Sequence, residues 1–445
     1  MSVRTSALVP SALSFFLVTL NASMATTALP AIGRDLGAGP SLPWVLTGYS
    51  LVFAVCLLPA GAWADRIGPH KAFTIGTTVF AATSALCALA QNLPLMLAAR
   101  TLQGAAAALL LPAGLSLLNT ASNHPEPAAE RTAAARPEPD AERTAAARLG
   151  PGVVGRARAV GRWTAAGAIA LVVGSPLGGA ITSGVGWQGI FWLNVPISFL
   201  LLATLPHTPP ATTPPPASLP QAAPSSPPPP PSPSSSPSPP TSVLSPTHRI
   251  GVGEMLRSGV VVVSSVTGFA LNFASYGAIF AVTFLLQDNL GRSAWITGLV
   301  FVPMTLLIIP ANLVAGRLTT RLGVRRTLLL GQCLMVIGLL GLIITSSSAI
   351  YQLTAWLLPI GVGAGLVAPA VTTLMLDGIP AERGGLGSGV LNAARQLGSG
   401  AAPAIFGVLL GAGQFITGFR ISLLLAVLVI AAPATFRTRE LVTCA

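Results

Sequence analysis

Charge is scarce in this chain. Asp, Glu, Lys and Arg make up 8% of its 445 residues, against about a quarter in an average soluble protein. So few charges cannot cover a water-facing surface, which excludes an ordinary soluble domain. Lysine is nearly missing, with Lys71 as the single copy. Cysteine is sparse as well. Cys56, Cys87 and Cys333 fall inside apolar runs and Cys444 lies at the tail, at no spacing that marks a disulfide framework or a metal site. The 12 acids are most informative for where they do not occur. Asp35, Asp65, Glu254, Asp288, Asp377, Glu382, Glu440 and five more in one short insert all lie outside the middle of the apolar runs, and all four histidines lie in loops. No nucleophile–base pair, metal cluster or phosphate-binding loop is present, so the chain does not read as an enzyme, and no cofactor or metal is expected. The net charge of +12 comes from arginines set between apolar runs. Those are topology signals rather than the footprint of a nucleic-acid partner.

Apolar length is what the chain has in abundance. Hydrophobic residues make up 52% and mean hydropathy is +0.73. With about 20 apolar residues per crossing, the sequence predicts twelve membrane helices. Six fall near 9–30, 44–62, 72–91, 94–118, 163–185 and 189–205. The other six fall near 262–286, 294–316, 327–346, 350–375, 387–411 and 417–436. The first run resembles a signal peptide, with Arg4 ahead of it and small residues near Ala28, but its length and the equal runs that follow favour a retained helix.

Arginine placement sets the orientation. With the N-terminus inside, only Arg34, Arg292 and Arg420 of the 24 Lys and Arg fall outside, while Arg100 and Arg395 lie within helices. Both termini are therefore expected in the cytoplasm, in a multi-pass protein of the plasma membrane whose Arg-, Ala-, Gly- and Pro-rich composition points to a bacterium.

Two stretches break the pattern. Residues 125–148 repeat a 12-residue unit, PEPAAERTAAAR then PEPDAERTAAAR, within a cytoplasmic insert expected over 119–162. Residues 206–247 hold 18 of the 40 prolines, including Pro227 to Pro231, too many to bury a core and suited to an extended spacer. The expected division is an N-terminal six-helix half over 1–205, a cytoplasmic Pro-rich linker over 206–258 and a C-terminal half over 259–445.

The halves share a turn. Gly61-Ala-Trp-Ala-Asp65-Arg66-Ile-Gly68-Pro-His-Lys71 joins the second and third runs, and Gly316-Arg-Leu-Thr-Thr-Arg321-Leu-Gly323-Val-Arg325-Arg326 joins the eighth and ninth. Gly61, Arg66, Gly68 and Lys71 correspond in order to Gly316, Arg321, Gly323 and Arg326. Thr320 stands where the first copy has Asp65. A bare carboxylate at a membrane boundary is costly, so Asp65 is expected to meet an arginine or the free N–H groups of a helix N-terminus, and to latch one of two conformational states.

The spacing GxxxDRxGxxK resembles the motif after the second helix of the major facilitator superfamily. Within that superfamily the chain looks most like the drug:proton antiporters usually built with fourteen helices. The matching stretches are LNASMATTALP over 20–30, RTLQG over 100–104, Trp187 through Asn194-Val-Pro196, and NAARQLG over 392–398. Three departures accompany them. The two extra helices between the halves are replaced by the proline-rich linker. Asn21 stands where an acid is common. The fifth-helix pattern reads Gly174-Ser-Pro176-Leu-Gly178-Gly179, with its proline displaced by one position.

The resemblance implies proton coupling at Arg100, and an antiport role for Gly174, Pro176, Gly178 and Gly179. From the residues alone, Arg100 either faces a hydrated interior or snorkels to the nearer surface. Gln103 and Gly104 sit one turn on. Asn392, Arg395 and Gln396 form a polar cluster that either lines a cavity in the second half or anchors its helix.

The expected function is export of a small hydrophobic or amphipathic compound, a drug, antibiotic or secreted metabolite, by proton-coupled alternating access in a monomer surrounded by lipid. An interior with arginines and no acids favours neutral or anionic substrates over quaternary ammonium ions. Two alternatives stay open. One is an uncoupled or solute-import carrier on the same fold. The other is a non-transporting receptor or scaffold acting through its proline-rich linker.

Overall fold

The structure, a computed structural model, describes residues 3–123, 151–205, 258–345, 349–380, 383–411 and 414–435. The proline-rich linker and the 12-residue repeats lie outside the described residues. Twelve α-helices run through the described part. The first six are α1 (Val3–Leu36), α2 (Trp44–Ile67), α3 (Pro69–Ala88), α4 (Leu93–Asn123), α5 (Pro151–Gly184) and α6 (Gln188–Ala203). The second six are α7 (Gly259–Phe284), α8 (Ala294–Leu322), α9 (Val324–Ile344), α10 (Ile350–Asp377), α11 (Gly384–Gly411) and α12 (Phe415–Ala431).

The sequence places every one of these helices. Helix α4 runs on to Asn123 and α5 already begins at Pro151, so helix extends from both sides into the expected insert, beyond the apolar spans Leu93–Leu117 and Ala165–Gly184. Chain that is polar by composition continues a helix when the turn before it is already formed. Ten of the twelve are long and apolar enough by themselves to cross a bilayer. Helix α6 is 16 residues long, and α11 carries Asn392, Arg395 and Gln396. Both are held in the bundle by neighbours instead of by hydropathy alone.

The packing repeats between the halves. In the first, α1 lies on α5, α2 and α3 lie on α4, and α3 lies on α6; in the second, α7 lies on α11, α8 and α9 lie on α10, and α9 lies on α12. The halves meet through α5 against α8 and α2 against α11. Exchanging the halves turns each of these contacts into the other, as expected for a parallel repeat about an axis along the membrane normal. Large apolar side chains such as Val55, Phe199, Leu313 and Leu428 point outward and are more than half exposed. Water would penalise that surface, whereas hydrocarbon does not.

The two turns between α2 and α3 and between α8 and α9 share their glycine conformation and their backbone hydrogen bonds. Gly68 has φ 89° and ψ 144°, and Gly323 has φ 85° and ψ 158°. Each ends one helix by donating to the carbonyl four residues back, of Ala64 or Thr319 at 3.0 Å, and its own carbonyl opens the next helix. A side chain would strain this left-handed backbone, which explains glycine at both positions.

Hydrogen bonds between the halves gather toward the end away from these turns. Arg34, near the end of α1, pairs with Asp288 at 2.9 Å. Gln287 donates to the Thr27 carbonyl at 2.9 Å, the Trp295 amide donates to Ser183 Oγ at 3.1 Å, and Thr47 donates to the Gly400 carbonyl at 2.8 Å. Gln287 and Asp288 stand on a π-helical turn, Leu285–Asn289, that follows α7. The wider turn carries both side chains to the partner half.

Candidate functional site

Between the halves lies a narrow cavity of about 70 Å³, part of it open to solvent, smaller in this state than a site closed around a drug-sized molecule. Helix α1 contributes Phe15, Val18, Thr19, Ala22 and Thr26. Helices α2 and α4 add Leu46, Tyr49, Ser50, Phe53, Arg100 and Leu111, and the second half closes the ring with Tyr276, Asn392, Gln396, Ser399 and Pro403. The wall is apolar and aromatic with a few polar groups, a lining suited to amphipathic ligands.

Arg100 is the charge in that wall. It is 1% exposed, so it faces the bundle interior and does not snorkel. Its Nε donates to the Val45 carbonyl at 3.0 Å and its Nη1 to Gln103 Oε1 at 2.6 Å. The guanidinium carbon lies 4.4 Å from the centre of the Tyr49 ring and 5.8 Å from that of Phe191, within the range of cation–π attraction. At Gly104 the Tyr49 backbone takes the space of a side chain, and a Cβ would collide with the Tyr49 carbonyl oxygen. That close approach of α2 to α4 brings the Tyr49 ring onto Arg100.

From Arg100 a ladder of buried hydrogen bonds crosses the first half. Gln103 Nε2 donates to Ser84 Oγ at 2.6 Å. Asn194 Nδ2 donates to the same hydroxyl at 3.0 Å and to Asn21 Oδ1 at 2.9 Å. Arg100, Gln103, Ser84, Asn194 and Asn21 therefore tie α2, α4, α3, α6 and α1 together, and each member is at most 1% exposed. The network is not complete, since Asn21 Nδ2 and Asn194 Oδ1 have no partner among the described residues; in a medium of low dielectric the bonds that are made hold their members in place, and each unpaired group is expensive. The sequence points to Arg100, Gln103 and Asn21, but not to Tyr49 or Ser84. A lone Ser or Tyr in an apolar helix has no spacing signal, and only the fold shows that it faces the arginine.

No carboxylate answers this cation. The described acids, Asp35, Asp65, Asp288 and Asp377, are all exposed. Asp35 accepts from Trp187 Nε1 at 2.8 Å and Gln188 Nε2 at 3.3 Å, closing the end of α1 onto the start of α6.

Asp65 does not meet the partner expected for it. It is exposed, and no hydrogen bond or ion pair joins it to another described residue. The halves are held together mainly at the opposite end, which leaves the Asp65 turn without a surface to grip in this state.

Arg395 also departs from expectation. Asn392 and Gln396 line the cavity, but Arg395 turns away and donates through Nη2 to the Ala368 carbonyl at 2.8 Å and to Thr372 Oγ1 at 3.0 Å. Three residues along a helix share a face in broad terms, yet a long side chain follows its acceptors, here those of α10.

The α5 pattern sits where the halves join. Gly174 and Gly178 lie against Ser23 and Met24 of α1, and Gly179 against the Ala294 carbonyl at the start of α8. Pro176 packs on Gly298 of α8, while Ser175 and Ser23 share a hydrogen bond of 3.0 Å. These small residues let three helices meet at backbone distance on the α5–α8 seam. In the second copy of the turn, Gly316, Arg321, Gly323 and Arg326 are exposed and lie far along the chain from the cavity residues.

The sequence profile of the Major Facilitator Superfamily matches residues 11–403 and, in a second alignment, 320–440. Among curated proteins, the chain is 27% identical over 433 residues to the "Multidrug resistance protein Stp" of Mycobacterium tuberculosis, covering 91% of this chain and 75% of that one. It is 27% identical to the "Methylenomycin A resistance protein" of Bacillus subtilis, covering 92% and 88%. It is 28% identical to the "Cephamycin export protein CmcT" of Amycolatopsis lactamdurans, covering 93% and 86%. Among solved structures, a bacterial homolog of the human lysosomal transporter Spinster, in an inward-facing and unoccupied conformation, matches with a TM-score of 0.65 at 17% identity. That match covers 97% of this chain and 95% of the other and speaks to the fold alone.

Proposed function

The chain belongs to the Major Facilitator Superfamily, and from that premise we propose that it exports neutral or anionic amphipathic compounds, antibiotics or secreted metabolites among them, by alternating access powered by the proton gradient. The relatives named for drug resistance and export support the direction of transport. The observation that carries the substrate class is Arg100, a buried guanidinium in the wall of the central cavity with no buried acid among the described residues. At short range in a medium of low dielectric such a charge repels cations and attracts anions.

The turns carrying Gly68 and Gly323 face the cytoplasm in this reading, because most of the basic residues lie on their side of the bundle. The contacts at the other end then make this an inward-facing state. Rocking of the halves about the α5–α8 and α2–α11 seams would expose the cavity outward, and Asp65 would find its partner as the cytoplasmic ends close.

A second reading, an uncoupled carrier, is favoured by the same shortage of buried acids, since proton exchange usually runs through a carboxylate held in the interior. Inverted membrane vesicles containing the full chain separate the two. Dissipation of a pre-formed pH gradient is followed on adding matched amphipaths that are neutral, carboxylate or quaternary ammonium. The exporter dissipates the gradient with the first two and not with the third. Dissipation by the quaternary ammonium compound overturns the substrate class. Uptake that persists after the gradient is collapsed establishes the uncoupled carrier instead.

A further inference from the structure

The second copy of the turn lost its acid and kept its bases. Arg317 and Arg321 at the end of α8 and Arg325 and Arg326 at the start of α9 are all exposed. None has a hydrogen bond or ion pair to a described residue, and the position of Asp65 in the first copy is Thr320 here. Four guanidiniums without a partner among the described residues repel one another, and at a membrane boundary they attract an anion.

Beside them lies a groove. A narrow cleft, part of it open to the surroundings, runs between α7, α9, α10 and the turn after α12. Its walls are mainly apolar, Val263, Leu328, Leu329, Leu374 and Pro433 with Thr267 and Gln332 among them, and Arg325 lines it as well. An apolar slot with a cation in its lining has the polarity of a phospholipid, an acyl chain running along the leucines and a phosphate on the guanidinium. Arginine holds a phosphate through two parallel N–H bonds, which an ammonium does not do.

We propose that an anionic phospholipid of the turn-side leaflet docks on the second half, with its phosphate on Arg325 and an acyl chain in the groove between α7, α9 and α10. The first half offers no equivalent, because Asp65 offsets Arg66 and Lys71 on its turn. The bound lipid bridges three helices of one half, so it stabilises that half as a unit.

The test uses the full chain in nanodiscs of phosphatidylcholine alone and of phosphatidylcholine mixed equally with phosphatidylglycerol, and reads the thermal unfolding temperature. Phosphatidylglycerol raises that temperature for the unmodified protein. Arg325→Gln loses more than half of the rise, Leu329→Trp loses it by filling the groove while leaving the charges in place, and Arg66→Gln keeps it. The proposal is overturned if phosphatidylglycerol has no effect, or if Arg66→Gln and Arg325→Gln reduce the rise equally, which is the behaviour of general surface attraction. A full rise in Leu329→Trp removes the chain-in-groove site. An equal rise from inorganic phosphate added to phosphatidylcholine nanodiscs assigns the arginines to free anions instead.

Discussion

Gly68 and Gly323 turn the chain in the same way, at φ 89° and 85°, yet the helices behind these turns enclose different chemistry. In the first half, a buried arginine begins a ladder through Gln103, Ser84 and Asn194 to Asn21 that engages five helices. In the second half the arginine of α11 is half-buried and donates to one neighbouring helix, its Nε having no partner among the described residues. Buried polar atoms without a partner occur in both halves, Asn21 Nδ2 and Asn194 Oδ1 in the first, the Ser264 and Ser422 hydroxyls in the second. Duplication preserved the turn because its geometry is a backbone requirement. The interiors differ because many sets of packed side chains satisfy the bundle. In the proposed function one half presents a fixed charge to the ligand, and the other supplies neutral polar groups, Asn392, Gln396 and Ser399, to the same cavity.

The sharpest way to break this contrast is to remove the two arginines in turn. Arg100→Ala deletes two hydrogen bonds from a charged donor, each worth about 1.5 kcal/mol or more, and leaves Gln103 Oε1 unpaired. We expect a loss of about 3 kcal/mol, read as a large fall in thermal unfolding temperature. Arg395→Ala, with its half-buried side chain, should cost about 1 kcal/mol. Equal losses would mean that the ladder holds nothing together.

Changing the turns separates function from stability. Asp65→Asn is expected to abolish transport while membrane abundance stays normal, since the carboxylate has no partner to lose in this state and serves only the other one. Thr320→Asp, which restores the acid to the second copy, should leave transport within about twofold, a difference of about 0.4 kcal/mol. Vesicle uptake normalised to protein by immunoblot checks both, and normal uptake by Asp65→Asn would remove the latch.

Single hydroxyls give the smallest effects and the finest comparison. Ser84→Ala takes an acceptor from both Gln103 and Asn194, leaving Gln103 Nε2 unpaired and Asn194 Nδ2 with Asn21 Oδ1 alone, at about 1–3 kcal/mol. Ser264→Ala removes a buried hydroxyl that has no partner, so it should be neutral or slightly stabilising. Denaturation of the two purified variants side by side would show whether the polar interior of the first half is as tightly coupled as its geometry indicates.

Much of this architecture is legible in the chain itself. Twelve apolar runs, a repeated turn and a proline-rich break mark two six-helix halves, because bilayer thickness imposes a length that composition alone can report. Arg100 stands out for the same reason, as a cost no membrane helix carries without cause. The direction of a side chain is another matter. Arg395 and Asn392 look alike in a helical projection, and α10 decides between them by offering two acceptors to one and none to the other. Ser84 and Tyr49 carry no signal at all until five helices bring them to the arginine. The helical ends of the insert were hidden too, since Pro151 and the residues after it have the composition of a loop and the conformation of a helix.

The most direct test of the account is transport of a carboxylate amphipath by Arg100→Gln and Arg395→Gln in the same vesicles, with each protein shown to be folded by size-exclusion chromatography. A fixed charge presented by the first half alone predicts that Arg100→Gln loses uptake of the carboxylate far more than of its neutral ester, and that Arg395→Gln handles both as the unmodified protein does. Equal loss of ester and carboxylate in Arg100→Gln, or selective loss of the carboxylate in Arg395→Gln, would contradict it.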